Sequence, residues 1–343
     1  MSARDAAYYD LEGPISSQDH AQAVCKRFIP DGDKLFAALS RYDDILTLTD
    51  REGYEPGDTL MLLTPFLIEA GVTEEDLKAV STEAGLVPGI CELFNELQNE
   101  GCLVWIISTS YEQHALSIAQ RAGVPDWQVS CTKFPLDQFR NQTAKEDFSL
   151  IRKARKKAVK LYHNKLESGV NDKPIQELLD PFFWKRLPKA KFGQVMAKVE
   201  VMGGRRKLKT LEDEIRERGI YLSDIFTVVD SITDFRMAQA VEAGGGIALV
   251  WNGNRFIIPY ATCGVAAVDA RAVKPIFQAW RDGGRKAVRE IVESIPEPEN
   301  PETGPHYHWL AGREKDDVFQ EEVLAIHKRL RTVCRGVEVA KLS

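Results

Sequence analysis

Three short apolar runs, each ending at a small polar or acidic residue, restrict the folds open to this chain more than any other feature. The runs are residues 6–9 before Asp10, 103–107 before Ser108, and 225–229 before Asp230. Runs of this length, rich in β-branched and aromatic side chains, are typical of strands buried on both faces of a parallel sheet. Residues 127–131 and 247–251 are two further candidate strands.

Helical patterns lie between these runs. Apolar side chains recur at helical spacing in residues 87–101, 208–219 and 233–243. The alternation of strand and helix predicts an α/β fold with a doubly wound, Rossmann-like parallel sheet. Because reactive side chains gather at the carboxyl ends of such strands, we expect Asp10, Ser108 and Asp230 to lie near one another.

The length of 343 residues allows a core that carries large insertions. The predicted core comprises residues 1–14, 86–142 and 206–262. Residues 15–85 and 143–205 interrupt the alternation and are predicted to be helical, the second with a basic helix around residues 152–160. Residues 263–343 are predicted to form a C-terminal helical extension, in which a Pro/Glu-rich linker at 295–305 precedes a last helix.

The composition excludes several classes of function. Hydrophobic residues make up 44% of the chain, charged residues 28%, and the net charge is −6, which is ordinary for a globular protein and gives no reason to expect nucleic-acid or membrane binding. No apolar stretch is long enough to span a bilayer, and the first residues lack the apolar region of a signal peptide. We therefore expect a cytoplasmic protein with reduced cysteines.

Residues 10–14 read Asp-Leu-Glu-Gly-Pro and place two carboxylates two residues apart at the end of a predicted strand. Phosphoryl transfer through an aspartyl-phosphate needs a carboxylate nucleophile and a nearby group that protonates the leaving oxygen. Asp10 and Glu12 have the residue types for these two roles. The structural alternative is an acidic strand end that leads into a turn.

The other strand ends offer metal and phosphate ligands. Asp230 and Asp234 are spaced so that both could supply oxygen atoms to a hard divalent cation, or Asp230 could cap a helix. Ser108 could hold a phosphate with its hydroxyl and backbone N–H, or could be an ordinary helix cap. Lys207, among other basic residues, could offset the charge of clustered carboxylates or could be a solvated lysine.

These residues resemble the four ordered motifs of the haloacid dehalogenase (HAD) superfamily: a strand followed by DxxG, a strand ending in serine, a lysine, and a strand followed by DxxxD. They stand here as Asp10–Gly13, Ser108, Lys207 and Asp230–Asp234, and the resemblance covers most of residues 5–262. It is closest to the phosphoserine-phosphatase-like branch, including the homoserine phosphotransferase type, whose first motif also reads DLEG.

The resemblance implies a Mg²⁺-dependent phosphomonoester hydrolase that acts on a small molecule through an aspartyl-phosphate. Asp10 would be the nucleophile and Glu12 the general acid and base, while Ser108 and Lys207 would bind the phosphoryl group. Magnesium would be held by Asp10, the backbone carbonyl of Glu12, Asp230 and Asp234. The second motif carboxylate is usually Asp in phosphatases, so Glu12 leaves open transfer to another acceptor.

The resemblance also implies that residues 15–85 form a cap over the substrate. Phosphoserine phosphatases use a cap arginine for the substrate carboxylate, but the matching stretch here, residues 58–68, is apolar and has none. We therefore expect poor binding of phosphoserine, because its carboxylate would be desolvated without a partner. Asp19, Thr109 and Tyr111 are the candidate substrate contacts.

Two other functions remain open. The same mechanism could serve a phosphotransferase, and the insertion at 143–205 together with the C-terminal extension could belong to a non-catalytic HAD-fold subunit of a larger assembly. The basic helix in 143–205 is typical of an amphipathic helix with a solvated face, or of a surface that binds a protein partner or a second copy of the chain.

Overall fold

The computed structural model describes residues 4–162 and 172–337. Seven strands in these ranges form one sheet in the order β3-β2-β1-β4-β5-β6-β7. The strands are β1 (Ala6–Tyr9), β2 (Leu103–Tyr111), β3 (Val129–Thr132), β4 (Phe226–Val229), β5 (Ile247–Trp251), β6 (Cys263–Ala266) and β7 (His306–Trp309). All neighbouring pairs are parallel except β6 and β7. The predicted α/β fold with a doubly wound parallel sheet is confirmed.

Helices flank this sheet and form a separate layer. They are α1 (His20–Phe28), α2 (Gly32–Leu48), α3 (Thr59–Ala70), α4 (Glu74–Glu83), α5 (Ile90–Asn99), α6 (Glu112–Arg121), α7 (Leu136–Asn141), α8 (Phe148–Leu161), α9 (Lys173–Pro181), α10 (Lys191–Met196), α11 (Arg205–Arg218), α12 (Phe235–Ala243), α13 (Lys274–Ser294) and α14 (Asp317–Arg335).

Both faces of the central strands are buried. In β1, Ala7 and Tyr9 belong to the core shared with α5, α6 and α13, whereas Ala6 and Tyr8 belong to the core shared with α11, α12 and α14. Successive side chains of a strand point to opposite faces, so a strand covered by helices on both sides has no solvated face. This burial explains why the sequence of β1 is continuously apolar and does not alternate.

The chain reverses its direction of travel across the sheet between β1 and β4. It proceeds outward from β1 to β2 and β3, and then returns to the opposite side of β1, where Tyr9 pairs with Val228 of β4. Asp10 and Asp230 directly follow these two neighbouring strands. Ligands of open α/β sheets bind in the crevice at such a reversal point, so the topology places both carboxylates where a site is expected.

The prediction of a purely helical extension at residues 263–343 is wrong. Cys263–Ala266 and Tyr307 with its neighbours form β6 and β7, which extend the sheet beyond β5. The pairing was not visible in the sequence because each strand has only four residues and the whole of α13 lies between them. A hairpin is recognised from a short turn between two strands, and that local pattern is missing here.

The two helical insertions share one hydrophobic core. Side chains of α1–α4 and of α8–α10 belong to the same buried cluster. Phe66 of α3 packs against Phe182 and Phe183, with ring centroids 5.9 and 6.3 Å apart. Residues 15–85 and the described parts of 143–205, namely 143–162 and 172–205, therefore form a single helical layer. The basic helix α8 buries Ile151, Ala154 and Ala158 in it, as an amphipathic helix should.

Among the helices of the described ranges, none combines the length and the apolar character that crossing a bilayer requires.

Candidate active site

Asp10 lies at the carboxyl end of β1 and is 4% exposed. Its backbone N–H donates to the carbonyl oxygen of Val228 at 2.9 Å, which continues the pairing of β1 with β4. Its Oδ1 accepts a hydrogen bond from the N–H of Leu11 at 2.8 Å. Its Oδ2 has no hydrogen-bond partner in the part of the chain that the structure describes. One carboxylate oxygen is thus held in place while the other is open.

Lys207 links the first and fourth motifs. Its side chain is fully buried, and its Nζ donates to Oδ1 of Asp10 at 2.7 Å and to Oδ1 of Asp234 at 2.6 Å. Burial by itself would lower the pKa of Lys207, but the charges of Asp10 and Asp234 raise it instead. The ammonium group therefore keeps its charge in a buried position between two carboxylates.

The neighbouring basic residues of Lys207 have a different role. Arg205 binds Glu55 through an N–H and a guanidinium bond, both of 3.0 Å, and Arg206 donates to Asp58 at 2.7 Å. Glu55 and Asp58 belong to the loop before α3, so these ion pairs join the helical layer to the start of α11. Of the three consecutive basic residues, Lys207 alone enters the carboxylate cluster.

The carboxylates of Asp10, Asp230 and Asp234 form a group that fits a divalent cation. Each offers an oxygen atom, and these atoms lie within 4.8 Å of one another. Oδ1 of Asp230 is buried and has no hydrogen-bond partner among the described residues. Oxygen ligands of this kind suit a hard cation such as Mg²⁺.

Gly13 keeps space open beside this group. Its φ is +113°, and a Cβ atom built there would lie 2.2 Å from Oδ2 of Asp230. A side chain at this position would displace the carboxylate, and the positive φ is also unfavourable for other residues. Glycine in the first motif is therefore required both for the turn and for the position of Asp230.

Burial raises the pKa of Asp10, and the charge of Asp234 raises it further, whereas Lys207 opposes both effects. The pKa of Asp234 is also raised, mainly by burial. Carboxyl groups that are crowded together in a buried site are harder to ionise, and a cation between them restores the ionised form. Lys207 supplies one such cation.

Glu12 lies next to the cation group but is not a member of it. Its Oε1 accepts hydrogen bonds from Oγ of Ser110 at 2.7 Å and from the N–H of His20 at 3.2 Å. Burial, with a contribution from the charge of Asp19, raises the pKa of Glu12 to about 8. The protonated form is favoured at neutral pH, which suits a general acid. The part of its backbone carbonyl in binding the metal stays a prediction.

A stacked pair of histidines lies behind Glu12. The rings of His20 and His114 are 4.4 Å apart at an angle of 13°, and Nε2 of His114 is 3.8 Å from Oε1 of Glu12. Burial lowers the pKa of His20 to about 4 and places that of His114 well below its usual value. Both rings are therefore neutral at physiological pH.

The strand that contains Ser108 is longer than predicted. It continues to Tyr111, with a shift of register between Ser108 and Tyr111, and the next helix begins only at Glu112. The prediction that Ser108 ends its strand and opens a helix is wrong, because the chain stays extended through this irregularity. Ser108 is fully buried, and its Oγ accepts from the N–H of Ser110 at 3.1 Å, which leaves its hydroxyl hydrogen to donate.

The three candidate substrate contacts, Asp19, Thr109 and Tyr111, all line one cavity of about 110 Å³ beside Asp10 and Glu12. Oγ1 of Thr109 is buried without a hydrogen-bond partner in the described ranges. Tyr111 donates its hydroxyl to the carbonyl oxygen of Leu60 at 2.7 Å, so that group is already engaged. Asp19 caps α1 by accepting from the N–H of Gln22 at 2.9 Å.

Two arginines of α14 reach this cavity and were missed from the sequence. NH1 of Arg331 and NH1 of Arg335 donate to Oδ2 of Asp230 at 2.5 and 2.9 Å, and both side chains line the cavity. They are separated from Asp230 by 101 and 105 positions. Only their spacing of four residues on one helix face could have indicated a joint role.

These arginines bear on the argument against a substrate with a carboxylate. The helix α3 has no arginine, but Arg331 and Arg335 line the cavity from the other end of the chain, where both are paired with Asp230. The poor binding of phosphoserine stays a prediction.

No protein-family model matches the sequence, and no curated protein matches it either. A solved structure of the gene product AF1437 from Archaeoglobus fulgidus is 26% identical, with a TM-score of 0.81 and 98% of each chain covered. A phospho-aspartyl intermediate analogue of phosphoserine phosphatase is 13% identical, with a TM-score of 0.50 over 79% of this chain and 98% of that one. By its fold, the chain is similar to phosphoserine phosphatase.

Proposed function

We propose that this protein is a Mg²⁺-dependent phosphatase that hydrolyses small phosphomonoesters through an aspartyl-phosphate at Asp10. The observation that supports it best is the group of three buried carboxylates at the ends of β1 and β4. Lys207 binds Asp10 and Asp234, and a carboxylate oxygen of Asp230 lies within 4.8 Å of oxygen atoms of both. Two arginines pair with Oδ2 of Asp230. Oδ1 of Asp230 stays buried without a hydrogen-bond partner among the described residues, which supports a site for a divalent cation.

In the first half of the reaction, Oδ2 of Asp10 attacks phosphorus. The bond from this oxygen to phosphorus forms as the ester P–O bond breaks, and protonated Glu12 transfers its proton to the leaving oxygen. In the second half, Glu12 takes a proton from water as the water oxygen attacks phosphorus. The bond to Asp10 then breaks, which restores the carboxylate and releases inorganic phosphate.

The remaining residues position the phosphoryl group and compensate its charge. Lys207 is the buried cation nearest to Asp10, and Oγ1 of Thr109 is a buried hydroxyl that is free to donate. Asp10, Asp234 and Oδ1 of Asp230 would hold Mg²⁺, which when bound neutralises charge on the phosphoryl oxygens. Catalysis would then come mainly from positioning and electrostatics.

The test is Mg²⁺-dependent phosphate release from a panel of phosphomonoesters by the full chain. Asp10→Asn is expected to lower the rate by roughly 10⁴-fold or more, and Glu12→Gln by roughly 10²–10⁴-fold. The chelator EDTA should abolish turnover, and adding Mg²⁺ should restore it. Asp33→Asn, on the exposed start of α2, is the matched control and should behave as the unaltered protein.

Three outcomes decide among the alternatives. Turnover that survives in Asp10→Asn would contradict the role of Asp10 as nucleophile. Phosphate transfer to an added alcohol, in preference to release into water, would identify a phosphotransferase of the same mechanism. No turnover of any ester by folded, Mg²⁺-loaded protein would favour a non-catalytic subunit of an assembly.

A further inference from the structure

Three buried cations compensate the three carboxylates of the candidate site. Lys207 pairs with two of them, at 2.7 and 2.6 Å. Arg331 and Arg335 of α14 both pair with the third, Asp230, at 2.5 and 2.9 Å. None of these six side chains is more than 6% exposed. With the carboxylates ionised, this cluster of six groups therefore has no net charge of its own.

The arginine pair adds positive charge beside Asp230 without occupying the oxygen atom that is left for a metal ion. NH1 of each arginine donates to Oδ2 of Asp230, and NH1 of Arg331 also donates to the carbonyl oxygen of Asn252 at 3.3 Å. Oδ1 of Asp230 is buried without a hydrogen-bond partner among the described residues. The pair therefore makes the surroundings of this ligand atom less negative and leaves the atom itself available to a cation.

The loop after β5 holds the arginine pair in this position. Nδ1 of His327, about one turn before Arg331 on α14, accepts from the N–H of Gly253 at 3.0 Å. The N–H of Asn254 donates to the carbonyl oxygen of Asp230 at 3.1 Å. Because the same short loop contacts both α14 and the backbone of Asp230, the two guanidinium groups are a fixed part of the surroundings of this carboxylate.

Three other carboxyl groups, of Glu12, Asp19 and Asp43, line the same cavity. Each accepts its hydrogen bonds from neutral hydroxyl or backbone N–H groups. Within the part of the chain that the structure describes, none of them forms an ion pair with the three cations of the cluster. The balance of three negative against three positive charges therefore holds for the groups that are in direct contact.

We propose that the arginine pair of α14 makes Mg²⁺ binding conditional on a phosphoryl dianion, so that the metal ion and the phosphate ester bind together. This inference rests on the proposed phosphatase function and deepens it. Mg²⁺ alone would add two uncompensated positive charges to a buried, neutral cluster, which is unfavourable. A phosphoryl group carries about two negative charges, so the two ligands together restore the balance.

The pair thereby couples two binding events. Without it, three carboxylates and one lysine would leave two negative charges, and these would attract Mg²⁺ in the absence of any substrate. With it, metal binding depends on the phosphoryl group, and by linkage the binding of the phosphoryl group depends on the metal to the same degree.

A purely orienting role of the pair predicts an effect of the opposite sign. If Arg331 and Arg335 served only to hold Asp230 in place, the loss of one of them would weaken Mg²⁺ binding. If they set the charge of the cluster, the loss of one strengthens the binding of Mg²⁺ alone. The direction of the change in Mg²⁺ affinity therefore separates the two roles without any assay of turnover.

The experiment is a calorimetric titration of the full chain with Mg²⁺ at pH 8, with and without inorganic phosphate. Phosphate is expected to lower the Kd for Mg²⁺ by about 10-fold or more in the unaltered protein. In Arg335→Gln, Mg²⁺ alone should bind about 10-fold or more tighter, and the effect of phosphate should shrink by the same factor. Arg335→Lys keeps the charge and should keep most of the coupling.

Arg329→Gln is the matched control. It removes the same charge from α14 at a position outside the cavity, where Arg329 donates to the carbonyl oxygen of Pro301, and should behave as the unaltered protein. The titrations of the unaltered protein test the coupling by themselves, so the inference stays testable if a variant does not fold.

Equal Mg²⁺ affinities with and without phosphate would overturn the inference, and so would weaker Mg²⁺ binding in folded Arg335→Gln. If esters are turned over but phosphate has no effect on Mg²⁺ affinity, the inference fails and the phosphatase function stands. If phosphate strengthens Mg²⁺ binding but no ester is turned over, the coupling stands and the phosphatase function fails. Absence of Mg²⁺ binding under both conditions would refute both.

Discussion

Replacing Lys207 by methionine tests the central ion-pair arrangement without any assay of activity. Methionine fills a similar volume, so the variant loses the cation and creates little empty space. Lys207 is fully buried and bonds to Asp10 and Asp234 at 2.7 and 2.6 Å. Removing one partner from a buried ion pair costs about 3–5 kcal/mol, because the remaining charge is uncompensated. We expect a loss of about 3 kcal/mol or more in the free energy of unfolding.

The loss should depend on pH in a defined direction. Burial raises the pKa of Asp10 and of Asp234 above the values of an unfolded chain. As the pH falls, the folded state therefore takes up protons before the unfolded state does, and the repulsion that Lys207→Met creates is relieved. The destabilisation should be largest near pH 8 and should shrink toward about pH 5.

Urea unfolding in the presence of EDTA, followed by circular dichroism, measures these values. Lys209→Met is the matched control on the exposed face of α11 and should change the free energy by no more than about 0.5 kcal/mol. Combining Lys207→Met with Asp234→Asn should lessen the loss, because one of the two carboxylates is then neutral. A loss below about 1 kcal/mol at every pH would refute the buried ion-pair arrangement.

Two further predictions concern the backbone at Gly13 and the effect of histidine protonation on stability. Gly13→Ala should weaken Mg²⁺ binding, measured by calorimetry, and destabilise the fold by about 1–3 kcal/mol, because the new Cβ would lie 2.2 Å from Oδ2 of Asp230. Gly71→Ala is the control, since Gly71 also has a positive φ, of +80°, but no atom lies within 4 Å of the position of its Cβ. Equal effects of the two substitutions would contradict the steric argument. Since burial lowers the pKa of His20 to about 4 and also that of His114, the unfolded state binds protons first below pH 6.5. His20 should therefore contribute a loss of roughly 3 kcal/mol as the pH falls from 6.5 to about 4, and His20→Gln should remove that contribution in urea titrations at successive pH values.

The amino-acid sequence was sufficient for the core of the fold and for the acidic part of the site. The apolar runs that end at Asp10 and Asp230 form β1 and β4, and the topology places these strands side by side. Both conclusions depend on local information, namely the spacing of hydrophobic residues along a segment and the type of residue at the end of a strand. Local patterns are preserved in the fold because buried strands of a parallel sheet require them.

Only the tertiary structure distinguished among chemically similar residues. Arg205, Arg206 and Lys207 are consecutive basic residues, and their sequence does not show which one contacts Asp10. Helix geometry directs neighbouring side chains to different faces, so Lys207 enters the site while the two arginines bind the loop before α3. The choice depends on how α11 is oriented against the sheet.

The contribution of α14 was also decided by tertiary structure alone. Arg331 and Arg335 form part of the cavity because β6 and β7 extend the sheet and α14 packs over it. The same holds for the shared core of the two insertions, which are distant in sequence but adjacent in space. Contacts between distant segments follow from packing and charge compensation across the whole molecule, and no periodic pattern within a single segment records them.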